Sequence, residues 1–152
     1  MDCLFCSIIK KEKPSYTIYE DDSVVAFLDI FPHAPAHTVV VPRRHMPTIL
    51  DMQESELQPF WSGVERVLHL LKKYIESDNA TLRTPEGSSV GFTIGINHGR
   101  VSGQEVDHLH IHLMPRFEGD KGGSIQSIVD NPLSTKTVAE VCEEIQKLIT
   151  NH

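Results

Sequence analysis

The chain has 152 residues, 39% hydrophobic and 23% charged, with 14 basic against 21 acidic side chains for a formal charge of −7. That size suits one domain with its own core, and the composition excludes a disordered chain, a collagen-like repeat and a coiled coil. Acidity without a Lys/Arg stripe excludes a protein that coats nucleic acid, so no nucleic-acid partner is expected and a polyanionic ligand needs a local pocket. No apolar run approaches the ~20 residues of a membrane helix, and no apolar segment precedes Lys10 and Lys11. Neither membrane association nor secretion is therefore expected, and the chain reads as cytoplasmic. Of the three cysteines, two stand in Cys3-Leu4-Phe5-Cys6, which suits an intracellular thiol pair better than a disulfide framework. The count of nine histidines is the unusual number.

No repeat, low-complexity stretch or linker interrupts the chain. Thr17-Ile18-Tyr19-Glu20 and residues 24–30 read as strands around an Asp21-Asp22 turn. A third strand, residues 37–41, is entered through the Pro-rich Phe31-Pro32-His33-Ala34-Pro35-Ala36. From Leu57, apolar residues recur at Phe60, Trp61, Val64, Val67, Leu68, Leu71, Tyr74 and Ile75. Glu65, Arg66, Lys72, Lys73 and Glu76 lie opposite, the 3.6-residue period of a long amphipathic helix. Ser55 is the expected N-cap, with Pro59 in the first turn, where a missing N–H costs little. Residues 78–89 read as a polar loop around Thr84-Pro85-Glu86-Gly87, followed by strands at residues 90–96 and 108–114. Val138, Val141, Cys142, Ile145, Leu148 and Ile149 mark a closing amphipathic helix with Cys142 on its core stripe. Strands grouped apart from helices predict an α+β fold on an antiparallel sheet.

Chemistry concentrates in His108-Leu109-His110-Ile111-His112-Leu113-Met114. On a strand the three histidines share one face while Leu109, Ile111 and Leu113 enter the core. Alternate residues are ~6.6 Å apart along a strand, so the outer two Cα atoms lie ~13 Å apart and three rings do not easily converge on one ion. The strand thus offers one or two metal ligands at most and leaves an imidazole for nucleophilic or proton-transfer work near neutral pH. Upstream, Asn97-His98-Gly99-Arg100-Val101-Ser102-Gly103-Gln104-Glu105-Val106 reads as a phosphate cradle, since Gly99 and Gly103 let backbone N–H groups approach an anion. Asp29 is either a turn acid or an acceptor for a sugar diol. The CxxC lacks a preceding strand, which argues against a thioredoxin-like motif and leaves ordinary thiols or a thiolate pair for zinc.

The sequence resembles the histidine-triad (HIT) family. The resemblance rests on the alternating histidines and on Phe5-Cys6-Ser7-Ile8-Ile9, Glu20-Asp21-Asp22, Ala26-Phe27-Leu28-Asp29-Ile30, Ala36-His37-Thr38, Val41-Pro42-Arg43-Arg44-His45, Gly103-Gln104-Glu105-Val106 and Met114-Pro115-Arg116. It covers roughly residues 3–118, leaving 119–152 as a C-terminal extension, so residues 1–152 are expected to form a single HIT domain. The implied fold is a five-stranded antiparallel sheet with a long helix and a C-terminal helix. The implied activity is hydrolysis or transfer at the α-phosphate of a nucleotidyl group, with a purine nucleotide as substrate, a homodimer as the assembly and no catalytic metal. Residue by residue, the resemblance makes His110 the nucleophile, has His112 contact the phosphate and leaving group, and sets His37 behind the nucleophile. Asn97 and Gln104 would hold the phosphate with backbone N–H groups around Gly103 and Glu105. Asp29 would take the ribose hydroxyls, and Phe5, Ile8, Phe27, Leu28 and Ile30 would line the base pocket. Zinc-containing members imply Cys3, Cys6, His45 and His108 as ligands of a structural zinc.

Two features depart from the nucleoside phosphoramidase (Hint) branch. Glu105 stands where that branch typically has Ser, and the tryptophan that follows the triad there is missing, the one Trp being Trp61 in the long helix. The leading expectation is a hydrolase of nucleoside 5′-phosphoramidates or related nucleotidyl conjugates. A dinucleoside polyphosphate hydrolase, a nucleotide-binding adaptor with vestigial catalysis and a metallohydrolase are the alternatives.

Overall fold

The computed structural model describes residues 3–77, 91–128 and 136–150. In chain order it contains α1 (Leu4–Ile9), β1 (Thr17–Glu20), β2 (Val24–Leu28), β3 (Thr38–Pro42), α2 (Glu54–Ser77), β4 (Gly91–Gly95), β5 (Ile111–Arg116) and α3 (Val138–Thr150). The strands form one five-stranded antiparallel sheet in the order β1-β2-β3-β5-β4. This is the expected α+β architecture. The expected loop at residues 78–89 and Val90 lie outside the described residues.

Both faces of the central strands are apolar, which is why β2 and β3 read as near-continuous hydrophobic runs. On one face Val24, Ala26, Val40, Leu109, Ile111 and Leu113 pack against Phe60, Val64, Val67 and Leu71 of α2. Each such fully buried Val, Leu, Ile or Phe side chain contributes roughly 1.5–3 kcal/mol relative to exposure. Helix and sheet approach closely at Gly63, where an added Cβ would sit 2.6 Å from Val24 Cγ2. On the other face Val25, Phe27, Val39 and Val41 pack with Phe5 of α1. A six-residue helix does not persist alone in water, so α1 is held by this packing. Its shortness also explains why no periodicity announces it in the sequence.

Several boundaries differ from expectation. Helix α2 begins at Glu54, so Ser55 lies inside the helix rather than capping it, and Pro59 falls beyond the first turn. The start is fastened differently: Gln53 N–H donates to the Glu56 carboxylate at 2.8 Å, and Arg44 grips the same carboxylate through Nε and an Nη, both at 2.6 Å. The Arg44 guanidinium holds the Glu56 carboxyl down at about 2. This clamp ties the segment carrying His45 to the helix. Strand β5 starts at Ile111 rather than at His108, because regular pairing with β3 begins at Ile111 opposite Val40. The alternation of faces nevertheless runs back through residues 108–110, with Leu109 in the α2-facing core.

Two compact units are present, one ending at Gly122 and the other beginning at Gly123. The second contains α3, opened by a capping box in which Thr137 Oγ1 accepts from Glu140 N–H at 3.3 Å and the Glu140 carboxylate accepts from Thr137 N–H at 2.7 Å. Val141, Cys142 and Ile145 are exposed, which corrects the expectation of a core Cys142. The described part of this unit is one helix and a 3-10 turn, too little to enclose a core. The side chains of Val138, Leu148 and Ile149 lie outside the described residues, as does His152.

Candidate active site and metal centre

A cavity of about 660 Å³ opens between α1, the ends of β2 and β3, and the segment following β4, within the usual range for a small-molecule site. Its apolar wall contains Phe5, Ile8, Phe27, Leu28 and Ile30, the five residues expected around a base. Asp29, His37, Asn97, Gly103, Glu105, His110 and His112 line its polar side. Strand pairing brings these together: His112 lies opposite Val39 of β3 and Gly95 of β4, so residues near 29, 37, 97 and 112 converge at one end of the sheet.

The histidines are not a solvent-facing stripe. His108 and His110 are 0% and 6% exposed, and each ring is oriented by a backbone carbonyl. Nδ1–H of His110 donates to His108 C=O at 2.8 Å, which leaves Nε2 as the ring's lone-pair nitrogen on a cavity-lining residue. Phe5 packs edge-on against this ring with centroids 5.3 Å apart.

A second chain of hydrogen bonds sets the neighbouring rings. His33 N–H donates to His37 Nδ1 at 3.3 Å, so His37 carries its proton on Nε2, which donates to His112 Nδ1 at 3.0 Å. His112 therefore carries its own proton on Nε2. Burial, reinforced by His110 and His37, pushes His112 down to about 4, so the ring is neutral at pH 7. Burial lowers His37 as well, against the opposing pull of the Asp29 carboxylate. Asp29 accepts Phe31 N–H through Oδ1 at 2.8 Å, and its Oδ2 lies 3.8 Å from His37 Nδ1. It thus serves as a turn acid and still borders the cavity.

The loop after β4 takes its shape from two glycines. Gly99 has φ +80° and Gly103 has φ +89°, conformations in which a side chain is strained. Gln104 closes the loop: its Oε1 accepts Gly99 N–H at 2.8 Å while Nε2 donates to Pro47 C=O at 2.8 Å and Val106 C=O at 3.1 Å. Its amide therefore braces the loop, and it is Gly103 and Glu105 on either side that border the cavity. No Lys or Arg lies among the described lining residues. His33, Tyr16 and Phe31, which no sequence motif marks, also border the cavity. His33 sits in a proline-rich stretch that carries no periodic signal, and only the turn that returns it to His37 reveals its place.

Cys3, Cys6, His45 and His108 form a separate constellation in which one potential ligand atom from each lies within 4.8 Å of the others. Nε2–H of His108 donates to Pro42 C=O at 2.9 Å, aiming the Nδ1 lone pair at the thiols. Nδ1 lies 3.4 Å from Cys3 Sγ and 3.6 Å from Cys6 Sγ, and His45 Nδ1 lies 3.4 Å from Cys6 Sγ. A tetrahedral zinc with ordinary Zn–S and Zn–N bonds sets sulfur and nitrogen ligands about 3.5 Å apart. The donor set, spacing and carbonyl-oriented histidine fit a closed tetrahedral ion.

A HIT domain family model matches residues 10–119. The uncharacterized HIT-like protein MJ0866 of Methanocaldococcus jannaschii is 40% identical, over 83% of this chain and 91% of that protein. The adenosine 5'-monophosphoramidase HNT1 of Candida albicans is 36% identical, over 79% of this chain and 74% of its own. The crystal structure of a histidine triad nucleotide-binding protein from Candida albicans superposes with a TM-score of 0.74 at 31% identity, covering 99% of this chain and 96% of that one. On the matched sequence and on the shared fold, the chain belongs to the HIT domain family.

Proposed function

We propose that this protein hydrolyses nucleoside 5′-phosphoramidates, with purine nucleotides as substrates and a nucleotidyl-histidine intermediate on His110. The observation that carries this reading is the orientation of His110: its Nδ1–H is committed to a buried carbonyl, which leaves Nε2 for the cavity. The similarity to a Candida albicans adenosine 5'-monophosphoramidase supports the substrate class. The base would lie among Phe5, Ile8, Phe27, Leu28 and Ile30, the ribose hydroxyls against Asp29, and the phosphate between Asn97 and the backbone around Gly103 and Glu105. His110 Nε2 attacks phosphorus as the bond to the leaving nitrogen breaks. His112 Nε2–H passes its proton to the departing amine and recovers one from the water that cleaves the phosphohistidine in the second step. His37 keeps His112 in the required tautomer. Two half-reactions of lower barrier replace one difficult displacement.

The charge around the cavity favours a single phosphate over a polyphosphate. Asp29 and Glu105 are its carboxylates, and no described lining residue is a Lys or Arg that would meet the extra charges of a dinucleoside polyphosphate. Zinc held by Cys3, Cys6, His45 and His108 is structural in this reading. It fastens α1, and with it Phe5 and Ile8, against the sheet. A homodimer is supported by the exposed Leu57, Trp61, Leu70 and Tyr74 of α2 and by β4, which is an edge strand among the described residues. No helix of the described residues is long and apolar enough to cross a membrane. We infer a cytoplasmic protein whose 152 residues work as a single HIT domain with a C-terminal extension.

The test is a comparison of kcat/KM across adenylyl and guanylyl phosphoramidates, thiophosphates and dinucleoside polyphosphates on zinc-loaded protein. Phosphoramidates are expected to lead by at least tenfold. A lead for dinucleoside polyphosphates, or activity abolished by removing metal while the fold persists, refutes the proposal.

A further inference from the structure

Asp29, His37 and His112 stand together at the polar end of the cavity, with one potential ligand atom from each lying within 4.8 Å of the others. None of them belongs to the Cys/His centre. The two imidazole nitrogens facing each other, His37 Nε2 and His112 Nδ1, are 3.0 Å apart. Neighbouring nitrogen ligands on one zinc-like ion lie about 2.9–3.4 Å apart for Zn–N bonds of ~2.0–2.1 Å, so the rings already have the spacing of two ligands on one metal. Asp29 supplies a hard oxygen within 4.8 Å of the ligand atoms of both histidines, and its Oδ2 lies 3.8 Å from the other ring nitrogen of His37, Nδ1. Two imidazoles and one carboxylate form a donor set that suits zinc, nickel or cobalt and does not suit magnesium. Such an ion keeps open positions, since three protein groups reach it among the described residues.

We propose that Asp29, His37 and His112 form a second, reversible site for a divalent first-row transition ion, and that its occupation inhibits the protein in competition with nucleotide. The ion takes the place of the proton shared by the two rings. That proton moves to Nδ1 of His37, so both rings stay neutral, and the contact given up is the long one from His33 N–H. Inhibition follows because the ion consumes groups the substrate needs. Asp29 no longer faces a ribose, and His112 is withdrawn from the leaving group. The inhibitory part rests on the catalytic reading above, whereas the binding part stands on geometry alone.

The experiment adds cobalt(II) to the full chain after one equivalent of zinc, following visible absorption and bound metal by equilibrium dialysis. One cobalt per chain should bind with d–d bands but without the intense thiolate charge-transfer absorption of a cysteine-bound ion. His37→Ala and Asp29→Asn should each weaken that binding at least tenfold and leave the first zinc in place. AMP and cobalt should each weaken the other's binding at least tenfold, and cobalt should inhibit hydrolysis competitively and be reversed by chelator. No second ion, binding indifferent to both substitutions, or AMP and cobalt bound together without mutual effect would overturn the site. Because cobalt binding requires no turnover, a failure of the phosphoramidase reading leaves the first arm intact and is distinguished from a failure of this one.

Discussion

Replacing His110 by Ala separates catalysis from binding and from stability. The ring is 6% exposed, packs against Phe5 and donates Nδ1–H to His108 C=O. Its removal leaves that carbonyl without its partner, a cost of about 1–3 kcal/mol. At about 2–4 °C per kcal/mol for a chain of this size, the melting temperature should fall by roughly 2–12 °C, which leaves a folded protein at room temperature. Catalysis should suffer far more. Without Nε2 no covalent intermediate forms, and kcat should drop by about 10⁴-fold or more, equivalent to at least about 5.4 kcal/mol at 1.36 kcal/mol per decade. AMP should still bind within about fivefold, because Asp29 and the apolar wall remain. The assays are single-turnover hydrolysis of a labelled adenosine phosphoramidate, mass-spectrometric mapping of an acid-quenched nucleotidyl adduct, calorimetric AMP binding and a thermal melt. A loss in kcat of less than about 100-fold, or a wild-type adduct on any other residue, refutes the assignment of the nucleophile.

Protein purified without added metal should contain about one zinc per chain, and Cys3→Ser with Cys6→Ser should lose it and lower the melting temperature more than it lowers kcat, as read by elemental analysis and melts; freely reactive thiols in metal-free, equally stable protein would count against the centre. Glu105→Ser should raise kcat/KM on dinucleoside polyphosphates relative to phosphoramidates, since it removes a carboxylate from the cavity lining; an unchanged ratio removes that argument. Gly63→Ala should cost about 1–3 kcal/mol, because its Cβ would meet Val24 Cγ2 at 2.6 Å, with kcat per folded molecule unchanged. Stability should also fall with acidification. An unfolded His112 takes up a proton near pH 6.5 while the folded ring resists until about 4, so stability is full above pH 6.5 and declines as the pH drops through that window. Denaturant unfolding at pH 7 and pH 4.5 should show a smaller decline in His112→Asn than in the unsubstituted chain.

The alternating pattern of residues 108–114, the 3.6-residue stripe of α2 and the strand runs around Asp21-Asp22 settle the α+β class and the buried position of Leu109, Ile111 and Leu113 from local periodicity alone. The same periodicity separates the histidine face from the core face, because a strand has only two sides. What a hydrogen bond over long sequence separation decides is absent from that pattern. That Nε2, not Nδ1, of His110 faces the cavity follows from one carbonyl two residues away. The tautomer of His112 follows from His37, 75 residues upstream, and ultimately from the backbone of His33. Gln104 carries the motif's polar side chain, yet its amide is spent on Gly99, Pro47 and Val106, a fact no spacing rule contains. Helix α1 has too few residues to show a period, and its place depends on Phe5 filling a gap over Phe27, Val39 and Val41. Local chemistry determines which residues are able to act, and the packing of distant segments determines which atom of each one meets the cavity.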